Sequence, residues 1–323
     1  MTNFTVTRRD AINGMAGALV AAAARPDFSD ARERALNFLV VGDWGRDGTS
    51  HQRDVARQMG KAADSLGCQC VVSVGDNFYY NGVQSSTDPQ WRSSYEDIYV
   101  ARSLQIPWYV ALGNHDYRGA PQAQIDYSKI SNRWRMPARY YKVPGAELGA
   151  PHADLFFIDT SPLVHKYREN VDDAIAHNVS DQDVPAQLRW LDEELGRSIA
   201  PWKLVIGHHT LHSGGSEHGD TPELVELIEP LLQKHGVQAY INGHDHDLQH
   251  VQRGGLNCIG SGAGSSVRPV VAIEGTRFCA SVSGFAAISL NPETLELQFR
   301  DFTGASTSIY RAKISHQASI RAG

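Results

Sequence analysis

Asn37-Phe38-Leu39-Val40-Val41-Gly42-Asp43 is a short apolar run closed by glycine and followed at once by a carboxylate. β-Branched and aromatic residues suit a pleated surface, and glycine punctuates it. The run therefore reads as a buried strand ending in a turn. The pattern returns as Cys70-Val71-Val72-Ser73-Val74-Gly75-Asp76 and Trp108-Tyr109-Val110-Ala111-Leu112-Gly113-Asn114. It returns again as Lys203-Leu204-Val205-Ile206-Gly207-His208 and Ala239-Tyr240-Ile241-Asn242-Gly243-His244. In open sheets of such strands, ligands sit just beyond the carboxyl ends. The strand ends thus deliver Asp43, Asp76, Asn114, His208 and His244 to one rim. Glycine before each permits a sharp turn and close backbone approach. Oxygen and imidazole donors gathered in this way predict a metal centre.

Between the first two runs, Thr49 to Leu66 places Val55, Met59, Ala62, Ala63 and Leu66 at helical spacing. Residues 37 to 76 therefore read as a βαβ unit with a right-handed crossover. A loop is expected from Asn77 to Asp88, a helix from Pro89 to Ala101 and a strand from Ile106 to Leu112. Asp116 to Ala153, rich in Arg, Tyr, Pro and Gly, reads as a long loop with a hairpin around Ala138 to Pro144. The second half opens with strand Leu155 to Asp159, a surface excursion from Leu163 to Asp183, helix Pro185 to Ser198 and strand Lys203 to Ile206. Thr221-Pro222-Glu223 has the cap, first-turn proline and acid of a helix start, predicting one helix to His235 that Gly236 ends. Hairpin strands follow at Leu248–Gln252, Leu256–Ile259, Ser283–Leu290, Leu295–Phe302 and Ser308–Ile314, with a turn at Asn291-Pro292-Glu293-Thr294. The expected fold class is α/β (α+β): a two-sheet β-sandwich flanked by helices and built from βαβ units. Residues 31–323 are expected to form one domain.

The 323 residues, 41% hydrophobic and 20% charged, suit a soluble globular chain. A net charge of −6 with scattered Lys and Arg argues against nucleic-acid binding as the main task. No apolar stretch reaches the roughly 20 residues that span a membrane, so no stable membrane anchor is expected. Thr7-Arg8-Arg9-Asp10-Ala11-Ile12 and the Gly/Ala-rich stretch Asn13 to Ala24 read as a twin-arginine export signal within residues 1–30. Cleavage is expected near Ala22 to Ala24, and the mature protein is expected to be periplasmic or secreted. Cys68 and Cys70 flank Gln69 where a helix hands over to a strand and are not expected to bridge. Cys258 and Cys279 are either a disulfide or two small buried hydrophobes.

Taken in full, the signals are Gly42-Asp43-Trp44-Gly45, Gly75-Asp76-Asn77-Phe78-Tyr79-Tyr80, Gly113-Asn114-His115-Asp116, Gly207-His208-His209 and Gly243-His244-Asp245-His246. This set resembles the purple acid phosphatases, in the small tartrate-resistant acid phosphatase branch. The resemblance spans Phe38 to Ile314. It includes Tyr127-Ser128-Lys129-Ile130-Ser131, Arg133-Trp134, Glu217-His218-Gly219 and Ser261-Gly262-Ala263-Gly264. The broader metallophosphoesterase pattern has Asp-x-His in the first block. Asp43-Trp44-Gly45 lacks that His, and Tyr79 takes its place.

The resemblance implies two metal ions. Asp43, Asp76, Tyr79 and His246 would hold iron(III), whose bond to the phenolate gives the family's colour. Asp76, Asn114, His208 and His244 would hold divalent iron, zinc or manganese, so Asp76 bridges. It implies an exported acid phosphatase acting on phosphate monoesters through a metal-bound hydroxide. His115 would orient the phosphate and His218 would protonate the leaving alcohol. A phosphodiesterase or phospholipid hydrolase on the same scaffold is the alternative reading, and a non-catalytic phosphate or metal binder the reading from another class. Where relatives often carry Tyr-Pro after the ligand histidine, this chain has His209-Thr210, and His209 is either a pocket wall or a catalytic group. His51, His152, His165, His177, His235, His250 and His316 read as surface or packing residues. Asp47, Asp245 and Asp247 read as solvated residues or supports of the ligands.

Overall fold

The computed structural model describes residues 35–169 and 174–316; the segment bearing Arg8 and Arg9 lies outside the described residues. The first run forms strand β1 (Leu36–Val41) and the second β2 (Cys70–Val74). The helix between them spans Gln52–Leu66; Val55, Ala56, Met59, Ala62 and Ala63 are buried, and Gly67 ends it with left-handed backbone. β3 (Trp108–Ala111) and the short β4 (Trp134–Arg135) continue in parallel beside β2.

The chain then builds a second sheet from β5 (Tyr141–Pro144), β6 (Ala153–Phe157), β7 (Trp202–Ile206), β8 (Ala239–Asn242), β9 (Leu248–Arg253), β10 (Leu256–Ser261) and β11 (Thr276–Ala280). It returns to the first sheet with β12 (Gly284–Leu290), β13 (Thr294–Asp301) and β14 (Tyr310–Ser315). The orders are β14-β13-β12-β1-β2-β3-β4 and β11-β9-β10-β8-β7-β6-β5. β1, β2 and β3 run parallel in one sheet, and β6, β7, β8 and β10 in the other. The two-sheet α/β architecture expected from the runs is the one observed.

The burial pattern explains why the runs are continuously apolar. Phe157, Leu204, Ile206, Ile241 and Ile259 join a core with residues of the first sheet. Their alternate neighbours Phe156, Val205, Tyr240 and Cys258 join a second cluster with helix residues Leu191, Leu195, Leu224 and Leu232 and with Ile228. Strands covered on both faces carry no polar alternation. The two sheets meet at backbone level, where Gly42 N donates to the Ser261 carbonyl (2.8 Å) and Gly264 N to that of Gly42 (3.0 Å).

Several expectations need correction. The expected long loop contains helix Pro121–Tyr127, and Tyr141–Pro144 pairs with β6 rather than forming a hairpin around 138 to 144. The expected 89–101 helix is a single wide turn, Trp91–Glu96, followed by a tight turn at Arg102–Leu104. The helix expected to reach His235 is two, Pro222–Leu227 and Glu229–Lys234, because Pro230 has no N–H and its ring blocks continuation. The 163–183 excursion is anchored by buried Leu163, Val164, Ile175 and Val179. β11 was not expected. All four cysteines are free thiols. β9 lies between the strands carrying Cys258 and Cys279. Two strand spacings of about 4.8 Å exceed the reach of a disulfide.

Candidate metal centre

Three of the residues that follow the strands have left-handed backbone: Asp43 (φ 59°), Asp76 (φ 49°) and His244 (φ 71°). Such residues cost about 1–3 kcal/mol each and persist where the surroundings over-determine them. Gly75, at φ 91°, is required twice over, since a Cβ there would lie 2.5 Å from His208 Nδ1. At Gly113 a Cβ would strike the Asp76 carboxylate and backbone nitrogen. Glycine thus lets the strand ends crowd together, as the sequence pattern implied.

The side chains converge in two groups. Tyr79 Oη lies 3.0 Å from Asp43 Oδ1, 2.9 Å from Asp76 Oδ2 and 3.0 Å from His246 Nε2. The other oxygen, Asp76 Oδ1, lies 3.5 Å from His208 Nε2. That nitrogen is 3.2 Å from Asn114 Oδ1 and 3.2 Å from His244 Nδ1. Asp76 therefore turns one oxygen to each group. Asp43, Asp76 and His208 offer ligand atoms within 4.8 Å of one another. All seven side chains are buried, with Asp43 and His208 fully so.

Ring orientation is set from outside. His208 Nδ1 donates to the Val74 carbonyl across the two sheets (2.9 Å), leaving Nε2 to face the group. His246 Nδ1 contacts Ser266 Oγ (3.2 Å), and His244 N donates to Asp43 Oδ2 (3.1 Å). Burial alone would lower the His208 pKa, but Asp76 raises it to about 9. Burial and the carboxylates of Asp43 and Asp76 hold the Tyr79 phenol well above its ordinary pKa.

The two remaining predicted residues border the groups. The His115 ring lies 4.4 Å from that of Tyr79, with Nδ1 donating to the Tyr80 carbonyl (2.7 Å) and Nε2 4.0 Å from Asp76 Oδ2. The His218 ring stacks on His244 at 4.0 Å. Arg268 Nη1 lies 2.9 Å from His218 Nε2. Burial and the Arg268 charge push the His218 pKa down to about 4. His209 is held between Thr160 Oγ1 (2.8 Å) and Tyr167 Oη (3.0 Å), with its ring 4.3 Å from His244.

Sequence reasoning missed two supports, Asp116 and Arg46. Asp116 is fully buried and accepts from the backbone nitrogens of Asn77 (3.1 Å), Phe78 (3.3 Å) and Gly113 (2.8 Å), and from Gln124 Nε2 (2.8 Å). It ties the loop bearing Asp76 and Tyr79 to the loop bearing Asn114. Of the two readings of Asp245 and Asp247, burial favours the support: both are buried, Asp245 accepts from Ser213 Oγ, and Gln249 Nε2 donates to Asp247 Oδ1 (2.9 Å). Arg46 packs its guanidinium 3.7 Å from the Tyr79 ring centre. The Tyr127 and Arg133-Trp134 motifs serve the core behind the site. Tyr127 stacks on Trp91 at 3.5 Å and Arg133 pairs with Glu96, beside Trp44 and Trp134.

Residues 36–248 match the calcineurin-like phosphoesterase family. Purple acid phosphatase 3 of Arabidopsis thaliana is 40% identical over 83% of this chain and 75% of its own length. The chain belongs to the purple acid phosphatase family. Tartrate-resistant acid phosphatase type 5 of Homo sapiens is 33% identical over 91% of this chain and 95% of its own. Among solved structures, GAP50, described as the anchor in the inner membrane complex of Plasmodium, superposes with a TM-score of 0.75. It is 25% identical, covering 88% of this chain and 90% of its own.

Proposed function

We propose that this purple acid phosphatase family member is an exported acid phosphatase that hydrolyses phosphate monoesters with two bound metal ions. One observation carries the reading. The Tyr79 phenol has one proton to give, yet it meets Asp43 Oδ1, Asp76 Oδ2 and His246 Nε2 at 2.9–3.0 Å in a buried space. One phenol proton cannot serve both carboxylate oxygens, whereas a cation suits them together with the phenol oxygen and the imidazole nitrogen. The donor chemistry therefore fits a metal. The hard, phenolate-bearing group of Asp43, Asp76, Tyr79 and His246 suits iron(III). Asp76, Asn114, His208 and His244 suit divalent iron, zinc or manganese.

Two cations so held supply Lewis acidity to the phosphoryl oxygens and acidify water at moderate pH. The chain's own residues do the rest. Val74 fixes the His208 tautomer that presents Nε2. His115, steadied by the Tyr80 carbonyl, orients the phosphate. His218 gives its proton to the leaving alkoxide. His209, pinned by Thr160 and Tyr167, shapes the pocket wall.

Metal analysis paired with aryl phosphate hydrolysis tests this. About two metals per chain, one of them iron, are expected. Asp76→Asn should lose metal and activity together, and Tyr79→Phe should bleach the violet band. Wild-type activity that survives complete chelation ends the reading.

Residues 31–323 form the catalytic domain in this reading, and residues 1–30 direct export to the periplasm or beyond. Arg8→Lys with Arg9→Lys should trap the precursor inside the cell. Unimpaired export of that double variant excludes the twin-arginine route.

A further inference from the structure

Arg46 follows the first ligand block and is held in three ways. Its backbone nitrogen donates to Gln52 Oε1 (3.1 Å), and its Nε donates to Ser265 Oγ (3.1 Å). Ser265 Oγ in turn donates to the Asp43 carbonyl (2.5 Å). The guanidinium carbon sits 3.7 Å from the Tyr79 ring centre and 5.0 Å from that of Tyr80. Tyr80 is 66% exposed, so this edge of the site faces solvent. Among the described residues, Arg46 forms no ion pair, and its two terminal nitrogens have no hydrogen-bond partner.

An arginine fixed at Nε and stacked on two rings has already lost much of its side-chain freedom. Its two free nitrogens form the planar fork that binds carboxylate or phosphate oxygens. His115, which orients the phosphate in the phosphatase reading, packs against the same two rings, at 4.4 Å and 6.3 Å. We propose that Arg46 is a specificity-determining residue that binds a second negative charge on the leaving group, next to the phosphate being cleaved. Favoured substrates are then phosphate monoesters with an adjacent carboxylate or further phosphate. The inference rests on the phosphatase reading.

The test compares 2-phosphoglycolate with ethyl phosphate, which are close in size and differ by one carboxylate. The quantity read is the ratio of their kcat/KM values. Arg46→Gln should lower that ratio about tenfold or more, the size expected for losing a charge-assisted pair. Arg46→Lys should keep part of it, because the charge remains. The visible band is recorded for each variant. A ratio within twofold of wild type overturns the inference and leaves the phosphatase reading intact. Equal losses on both substrates with a shifted band also overturn it, placing Arg46 on Tyr79 instead. No hydrolysis of either ester by the wild-type enzyme sinks both.

Discussion

His218 stacks on His244, and Arg268 presses a positive charge on its Nε2. In the free protein this holds the imidazole neutral, with its pKa pushed down to about 4 by burial and by Arg268. A general acid must carry a proton, so the negative charge of bound phosphate has to supply what Arg268 opposes. His218→Ala should then lose about 100- to 10,000-fold in kcat on alkyl phosphates. The loss should be much smaller on nitrophenyl phosphate, whose leaving group hardly needs the proton. Equal losses on both, with metals still bound, would make His218 a positioning residue. Arg268 was invisible in the sequence because its importance comes from reaching a loop 50 residues away.

The loops at the strand ends depend on Asp116. Its carboxylate collects donors from the loop after β2 and the loop after β3, together with Gln124 of the Pro121–Tyr127 helix. Asp116→Asn turns one acceptor into a donor facing those N–H groups. It should cost about 2–4 kcal/mol, read as a lower urea midpoint, and release metal as both loops loosen. Unchanged stability and metal content would remove Asp116 from this role. The strands themselves were legible because they are buried on both faces, which leaves an unbroken apolar run. The ligands were legible because glycine precedes them. Elements without such a run were not. β11 is only partly buried and pairs with β9 through an irregular register, so it carries no apolar signature. The Pro230 break was readable from proline chemistry, but the start signal at Thr221, whose side chain makes no cap hydrogen bond, drew the helix too far. Asp116 and Arg46 look like ordinary turn residues until folding shows what they touch.

At the scale of the whole molecule, the candidate site is a seam. Asp43, Asp76, Tyr79 and Asn114 come from the ends of the first sheet, and His208, His244 and His246 from the second. The sheets touch there through Gly42, Ser261 and Gly264, and through His208 and Val74. No disulfide reinforces this among the described residues, since the four thiols are free.

The order of the strands also sets an order in time. β1 takes β12 as its antiparallel partner, Leu36 facing Leu290, so the second sheet is an insertion into the first. A chain emerging from its amino terminus can finish the second sheet while β1 still has an open edge. The long-range pairing comes last and slowly, as non-local strand contacts do. The carboxyl-terminal meander β12–β13–β14 is then the closing step of folding rather than an appendage. A chain ending at Ser283 should keep its histidine-bearing sheet, lose order around Asp43 and aggregate through that open edge. A soluble truncation that still binds two metals would show that assembly does not wait for the end of the chain.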